Sequence, residues 1–422
     1  MKLLTVDTIE QAREKIISFC STWQLKNEEI TLCDTMDRIA AEDIYSPCSV
    51  PSFRRSTVDG YAVAASDTAA ASEGIPVFLK QIGSVSMGKK ADFSIKHGEC
   101  AYVPTGAMLP DGADAAVMIE YSETAGDIIS IYDAAAVGMN VIEAGEDFKN
   151  GELLLKKGTK IRPQEIGASS AAGITSVKVF TPLSVAIIST GDELVPPDEQ
   201  LTPGEVRDIN TNALSALAKK YGFNVRSARV LPDDEEKIEK AVREETALND
   251  IVLISGGSSQ GDKDMTKMII DRTAKPGIFT HGLALKPGKP TILGWDEESK
   301  TLIAGLPGHP VSAMMVFTLL LSSLQLEHNA LNTDRRAEDA DSRPQAANYP
   351  VPAKIASNVP GSPGKAVCLP VTLVLENGAY LARPVFGKAG MVSTLTRADG
   401  FVVIDINKEG LKKNESVMVH LF

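Results

Sequence analysis

Gly305-Leu-Pro-Gly-His-Pro-Val-Ser-Ala313 decides how this chain is read. It follows a short apolar run and leads into a long apolar stretch, about Val311 to Leu326, that reads as a buried helix. Two glycine loops upstream share that pattern. Ser189-Thr-Gly-Asp-Glu193 follows Ser184-Val-Ala-Ile-Ile188, and Ser255-Gly-Gly-Ser-Ser-Gln-Gly-Asp-Lys-Asp264 follows Ile251-Val-Leu-Ile254. Loops of this kind turn backbone N–H groups toward anions. Open α/β sheets bind their ligands beyond the carboxyl ends of the strands. One such loop says little; three on one sheet edge predict a site.

Between the loops, strands and helices alternate. A helix is expected near Asn210 to Tyr221, a strand over Asn224 to Leu231, a helix over Asp233 to Leu248, and another after Asp264. That rhythm predicts a parallel sheet covered on both faces. The chain before it reads differently. Asp7 is placed to cap a helix, with Glu10 three residues on and Ile9, Ala12, Ile16, Ile17 and Phe19 or Cys20 as its apolar stripe. From about Val50 to Asn150, short β-like runs (77–82, 115–119 and 128–132) are separated by Gly, Pro and Asp turns, which predicts a small β-rich domain. A strand and turn over Leu153 to Gly158 and a proline-started helix from Pro163 to Ala172 lead into the α/β section. Beyond about Asp334 a polar linker precedes β-like runs at 371–375, 401–404 and 417–422. The expected fold is multidomain α/β, a central doubly wound domain with an inserted β-rich domain and a β-rich carboxyl-terminal one. The boundaries are 1–48 plus 150–180, 49–149, 181–330 and 335–422.

A chain of 422 residues is too long for one hydrophobic core. Its net charge of −12 argues against a nucleic-acid partner, which would select a basic face. An anionic ligand therefore needs local cations. The amino terminus lacks the apolar run of a signal peptide, and the longest apolar stretch falls short of the ~20 residues of a membrane span. Five scattered cysteines without a Cys-x-x-Cys pair make neither a disulfide framework nor a zinc site, so a reducing cytoplasm is expected.

Each motif admits a plain reading beside a chemical one. Pro51 to Val63 carries Arg54, Arg55, Ser56, Thr57 and Asp59 in one loop, fit for an oxyanion or a metal, or simply for an Asp-Gly turn. Thr105 in Pro104-Thr-Gly-Ala107 and Asp147 in Gly145-Glu-Asp147 lie in fragments that alone read as turns. Carboxylates beside phosphate-binding loops are compatible only through a cation such as Mg²⁺. Asp233 either joins them or caps its helix. Lys286 and Lys289 stand on a proline-stiffened turn suited to a pyrophosphate or a metal oxyanion. Pro290 after Lys289 excludes a Walker loop, and Gly256 to Gly261 does not fit the dinucleotide fingerprint. His309 reads as a loop donor.

Together, Pro51-x-Phe53 with Ser56-x-x-Asp-Gly-Tyr-Ala62, Pro104-Thr-Gly-Ala, Gly145-Glu-Asp, Ser189-Thr-Gly-Asp-Glu, Gly256-Gly-x-Ser-x-Gly-x-x-Asp264, Lys286-Pro-Gly-Lys-Pro and Gly305-Leu-Pro-Gly-x-Pro-Val-Ser closely resemble the molybdopterin molybdenumtransferase family of bacterial MoeA and the gephyrin E domain. The match keeps motif order over nearly the whole chain.

The resemblance implies a MogA-like central domain, a carboxyl-terminal β-barrel and an elongated homodimer. It also implies a molybdenum insertase that places molybdate into adenylylated molybdopterin and releases AMP with Mg²⁺, downstream of a molybdopterin adenylyltransferase. Asp59, Asp147, Glu193, Asp233 and Asp264 would form its catalytic acids, with Asp59, Glu193 and Asp264 on the metal. Thr105, Gly256, Gly257, Ser258, Pro307 and Pro310 would shape the ligand cleft, and Lys286, Lys289 and Ser393 the molybdate pocket. Two positions depart from the pattern. Val58 replaces a frequent Met, and Ile142 stands where the family carries an arginine, a loss worth ~1–3 kcal/mol of anion binding unless replaced. Arg54 or Arg55 is expected to supply that charge. The competing readings are a non-catalytic molybdopterin-binding or scaffold protein, a tungstate-specific paralogue and a generic phosphotransferase.

Overall fold

The computed structural model describes residues 6–256, 265–325 and 350–422. These form two compact units: Glu28–Val179, and the chain up to Asn27 together with Phe180–Phe422.

The larger unit opens with α1 (Ile9–Cys20), whose buried stripe is Ile9, Ala12, Ile16 and Cys20. Its cap is Thr8 rather than Asp7. The Thr8 hydroxyl accepts from Gln11 N while Gln11 Oε1 accepts from Thr8 N, so the capping box lies one residue further along. Asp7 is occupied elsewhere, taking Lys15 Nζ at 2.6 Å and the Thr280 hydroxyl at 2.6 Å.

The α/β body then runs β1 (Ser184–Thr190), α2 (Asn210–Lys220), β2 (Asn224–Leu231), α3 (Glu235–Thr246), β3 (Ile251–Ser255), α4 (Met265–Thr273), β4 (Pro276–His281), β5 (Ile292–Asp296), β6 (Thr301–Leu306) and α5 (Pro310–Leu320). The sheet order is β2-β1-β3-β6-β5-β4. β2, β1, β3 and β6 pair in parallel, while β5 pairs antiparallel with both β6 and the edge strand β4 and alone runs against the rest. The expected all-parallel sheet is corrected here for a steric reason: residues 297–300 join β5 to β6, too short for the crossover helix that parallel neighbours need.

The inner strands are apolar on both sides. Val185, Ile187, Ile251 and Leu253 pack with α1, α2 and α5, while Ala186, Ile188, Val252 and Ile254 pack with α3 and α4. Two buried faces make these strands continuous hydrophobic runs rather than alternating ones. Asp234, not Asp233, caps α3, accepting from Lys237 N at 3.1 Å.

The carboxyl-terminal strands are β7 (Val351–Ile355), β8 (Ala366–Glu376), β9 (Ala379–Pro384), β10 (Gly400–Ile404) and β11 (Ser416–Leu421). They pair in the order β8-β9-β7-β11-β10, and β10 returns to β8, which closes a five-stranded barrel. Closure leaves the barrel itself without an exposed edge. Its core is Ile355, Val371, Ala382, Ile404 and Val419, among others. A two-residue strand, Leu285–Lys286, pairs in parallel with the start of β8.

The smaller unit carries a six-stranded sheet. In spatial order its strands are Ala115–Met118, Gly60–Val63, Glu99–Val103, Val77–Ser84, Ile128–Ile131 and Ser122–Ala125. Gly60 is fixed by space, because a Cβ there would stand 1.9 Å from the Val117 carbonyl oxygen. Helix Pro163–Ala171 stands beside a separate small cluster of Ala40, Ile161, Val177 and Val179. No helix of the described residues is long and apolar enough to cross a membrane.

Candidate functional site

The three loops that opened the sequence reading leave adjacent strands β1, β3 and β6 at their carboxyl ends. From β1 the chain adds β2 on one side and β3 on the other, so the β1/β3 gap is a topological switch point. The backbone there is tightly fitted. Gly256 has φ +121°, and a Cβ on it would lie 2.2 Å from the Thr190 carbonyl oxygen. A Cβ on Gly308 would lie 3.6 Å from Gly256 Cα, which puts the start of the second loop beside the third.

Side chains from α2 tie this edge together. Asn210 Nδ2 donates to Ser255 Oγ at 2.8 Å and to the Gly308 carbonyl at 2.7 Å. Its Oδ1 is buried with no partner among the described residues, an acceptor left for a ligand N–H. The Thr211 hydroxyl donates to Ser189 Oγ at 2.7 Å, and Asp208 Oδ1 accepts from Thr211 N at 3.2 Å.

An acidic corner follows β1. Asp233 N donates to Asp192 Oδ1 at 3.0 Å. Partial desolvation raises the Asp233 pKa above the usual aspartate value, and the charges of Asp192 and Glu193 raise it further, while the neighbouring Thr190 hydroxyl works the other way. Since Asp234 caps α3, Asp233 is released from capping and its carboxyl stands with the other two. Gly191 leaves room for this corner, because a Cβ there would meet Glu193 Oε2 at 2.7 Å.

Lys286 and Lys289 are both exposed, and neither has a carboxylate partner among the described residues. Their turn is held by Thr291 N and Leu283 N donating to the Lys289 carbonyl, each at 2.9 Å. Gly288 presses it onto α5, since a Cβ there would come 2.7 Å from Val316 Cγ2. Pro307 opens the loop after β6 and Pro310 opens α5, with exposed His309 at the N-cap. Val311 N donates to the Ala389 carbonyl at 3.3 Å, which draws the segment preceding Ser393 to the start of α5. Ser393 itself begins the short helix Ser393–Thr396.

In the smaller unit, Asp59 and Thr105 meet as a pair. Asp59 Oδ1 accepts from Thr105 N at 2.7 Å and from its hydroxyl at 3.1 Å. Asp147 is exposed on a loop pinned to Val50 and Pro51 by Asp147 N→Val50 O (3.0 Å) and Gly145 N→Pro51 O (2.9 Å). Gly257, Ser258 and Asp264 lie outside the described residues. Among those described, no group of three or more His, Cys, Asp or Glu is drawn close enough to hold a metal ion by itself.

Sequence reasoning missed Asp192, Asp208, Asn210 and Thr211. Asp192 adjoins a chosen residue inside a chosen motif and was within reach. Asn210 was not, because its partners are supplied by folding alone.

An open α/β sheet with donor-rich loops at its switch point, free lysines and an acidic corner defines a binder of anionic small molecules. The comparisons sharpen this. The chain matches the MoeA N-terminal region (domain I and II) over residues 7–173, a "Probable molybdopterin binding domain" over 186–327, and the MoeA C-terminal region (domain IV) over 352–422. It is 34% identical to the molybdopterin molybdenumtransferase of Haemophilus influenzae, covering 75% of this chain and 76% of that one. The enzyme of the same name from Bacillus subtilis is 29% identical, over 98% and 93%. A crystal structure of the molybdopterin biosynthesis MoeA protein of Pyrococcus horikoshii superposes with a TM-score of 0.79 at 38% identity, covering 99% of each chain. The chain belongs to the molybdopterin molybdenumtransferase (MoeA) family.

Proposed function

We propose that this protein is a molybdenum insertase of molybdenum cofactor biosynthesis. It takes adenylylated molybdopterin and molybdate, and it releases AMP and molybdenum cofactor. The observation that carries the reading is the β1/β3 switch point, where Gly256, Asn210 and the Gly308 loop meet beside the Asp192–Glu193–Asp233 corner. Gly256 and the Gly308 loop offer backbone donors to phosphoryl oxygens. The orphaned Asn210 Oδ1 offers an acceptor to the N–H edge of a pterin.

Mg²⁺ fits the residues present. Asp192, Glu193 and Asp233 are hard oxygen donors whose mutual repulsion a cation relieves. Mg²⁺ also binds through one or two carboxylates plus substrate phosphates rather than in an all-protein cage. Asp233 and Glu193 would hold it, and it would supply charge neutralisation at the phosphoanhydride; Asp59 and Asp264 are the further metal candidates that the family resemblance implies. Lys286 and Lys289 offer fixed positive charge to an oxyanion, with Ser393 as a hydroxyl donor. Asp147 is the remaining acid, and Thr105, Gly257, Ser258, Pro307 and Pro310 are the ligand-binding candidates that the family resemblance implies. In this reading the chain has four domains, bounded as the sequence suggests. It works in the cytoplasm as a homodimer, on a substrate supplied by a molybdopterin adenylyltransferase.

The test is AMP release from adenylylated molybdopterin with molybdate and Mg²⁺, coupled to activation of a cofactor-free molybdoenzyme. Tight binding of the substrate without AMP release would assign the chain to a scaffold role instead.

A further inference from the structure

Arg54 and Arg55 lie side by side in the smaller unit, and either is expected to replace the cation missing at Ile142; strand register separates the two. Arg54 and Arg55 are half-buried, and neither guanidinium has a hydrogen bond or ion pair with a described residue. Arg55 begins a two-residue strand, Arg55–Ser56, that pairs antiparallel with Val141–Ile142: Ser56 faces Val141, and Arg55 faces Ile142. Residues directly opposite in an antiparallel pair share one side of the ladder, and successive residues alternate.

The direction of each row follows. Ser56 is buried and Val141 packs on the cluster of Ala62, Ala101 and Val103, so that row faces the core. The Arg55/Ile142 row faces away from it. Met108 joins this outer row through an antiparallel bridge to Arg55. Arg55 is thus flanked on its own face by two apolar residues, where a charge is screened less than on an open surface.

Among the described residues Arg55 forms no ion pair with Asp59, Glu143 or Glu146. Asp59 Oδ1 is taken by Thr105 N and its hydroxyl, and Glu146 Oε2 accepts from Glu143 N at 2.7 Å. A guanidinium with apolar flanks and no counter-charge matches a tetrahedral dianion, which it grips through two parallel N–H donors.

We propose that Arg55 is an oxyanion-binding residue that takes a tetrahedral dianion, a phosphoryl group or molybdate. The choice of those two anions rests on the proposed reaction; the placement of the cation does not. Arg54 has no partner in the Ile142 row and is the internal control.

The test is equilibrium dialysis of the full chain against AMP and, separately, against molybdate, with thermal melts to confirm folding. Arg55→Ala should weaken one of the two anions roughly ten- to hundred-fold. Arg55→Lys, which keeps the charge and loses the fork, should fall between. Ile142→Arg added to Arg55→Ala should recover much of the loss, because it returns a cation to the same row. Arg54→Ala should leave both anions near the parent. Loss of AMP alone assigns the phosphoryl group, and loss of molybdate alone assigns the metal oxyanion. The inference is overturned if Arg55→Ala binds both as the parent does, if Arg54→Ala does the damage instead, or if the parent binds neither at millimolar concentration. Absence of AMP release on turnover, with the Arg55 dependence intact, sinks the reaction and leaves this site standing.

Discussion

Replacing Gly256 by alanine tests whether the switch-point loops are held by backbone fit. Gly256 has φ +121°, and its added Cβ would lie 2.2 Å from the Thr190 carbonyl oxygen and 2.7 Å from the Thr190 hydroxyl. Neither obstacle is the free end of a flexible chain, since Thr190 ends the fully buried strand β1. The backbone conformation alone costs an L-residue about 1–3 kcal/mol. The overlap adds to that, or it forces the ends of β1 and β3 apart. In a unit of this size, each kcal/mol lowers the melting temperature by about 2–4 °C. A drop of roughly 2–12 °C is expected, with AMP binding weakened at least ten-fold as the loop moves.

Gly308→Ala is the matched comparison. Its Cβ would meet Gly256 Cα at 3.6 Å, an ordinary contact. It should melt within about 2 °C of the parent, since a fitted surface substitution costs about 0.5 kcal/mol or less. The assays are differential scanning calorimetry and titration of AMP into the folded variants. If Gly256→Ala melts and binds like the parent, the argument from backbone fit is wrong.

Three further outcomes follow from the structure. The Asp233 pKa is raised, so its ionised form is disfavoured in the folded state, and stability present below the usual aspartate pKa is lost as pH rises through the folded value. Asp233→Asn should therefore be as stable as the parent or more so at neutral pH without metal, with no difference in strong acid; urea midpoints at pH 7 that favour the parent would contradict this. Glu245 is 2% exposed and accepts from Ser227 Oγ (2.7 Å) and Asn249 Nδ2 (2.9 Å) beside an ion pair with Arg229. Glu245→Ala should cost about 2–3 kcal/mol by urea unfolding, discounted because Arg229 reaches solvent, and a loss below about 0.5 kcal/mol would deny the buried network its role. Burial pushes the Cys100 and Cys368 thiols up to about 12, and Cys20 is buried as well. A thiol reagent should therefore titrate Cys33 and Cys48 in the native chain and all five cysteines in denaturant.

What the sequence reveals is what local spacing encodes. Strand β2 falls on the residues expected for it, Asn224–Leu231, because the turn at Gly222 and Asp233-Asp234 bracket it on both sides. The glycine loops were visible for the same reason. Asn210 was invisible because its partners are 45 residues away at Ser255 and 98 away at Gly308. The antiparallel course of β5 depended on a connection length that the apolar runs of β5 and β6 do not show. Thr8 displaced Asp7 as a cap because Asp7 found stronger partners in Lys15 and Thr280, the latter 273 residues distant. The choice of Arg55 over Arg54 turned on strand register, which a two-residue strand does not display in its sequence.

The strand Leu285–Lys286 joins the edge of the barrel through the first residues of β8. Val367, which faces Lys286, also faces Ile404 of β10 and so belongs to the seam that seals the ring. One short stretch, Ala366–Val367, is therefore a splice that binds the lysine turn to a closed cylinder. Lys286 cannot swing independently of that cylinder. Its backbone rests on a rigid mount, and amide protons at this splice should exchange together.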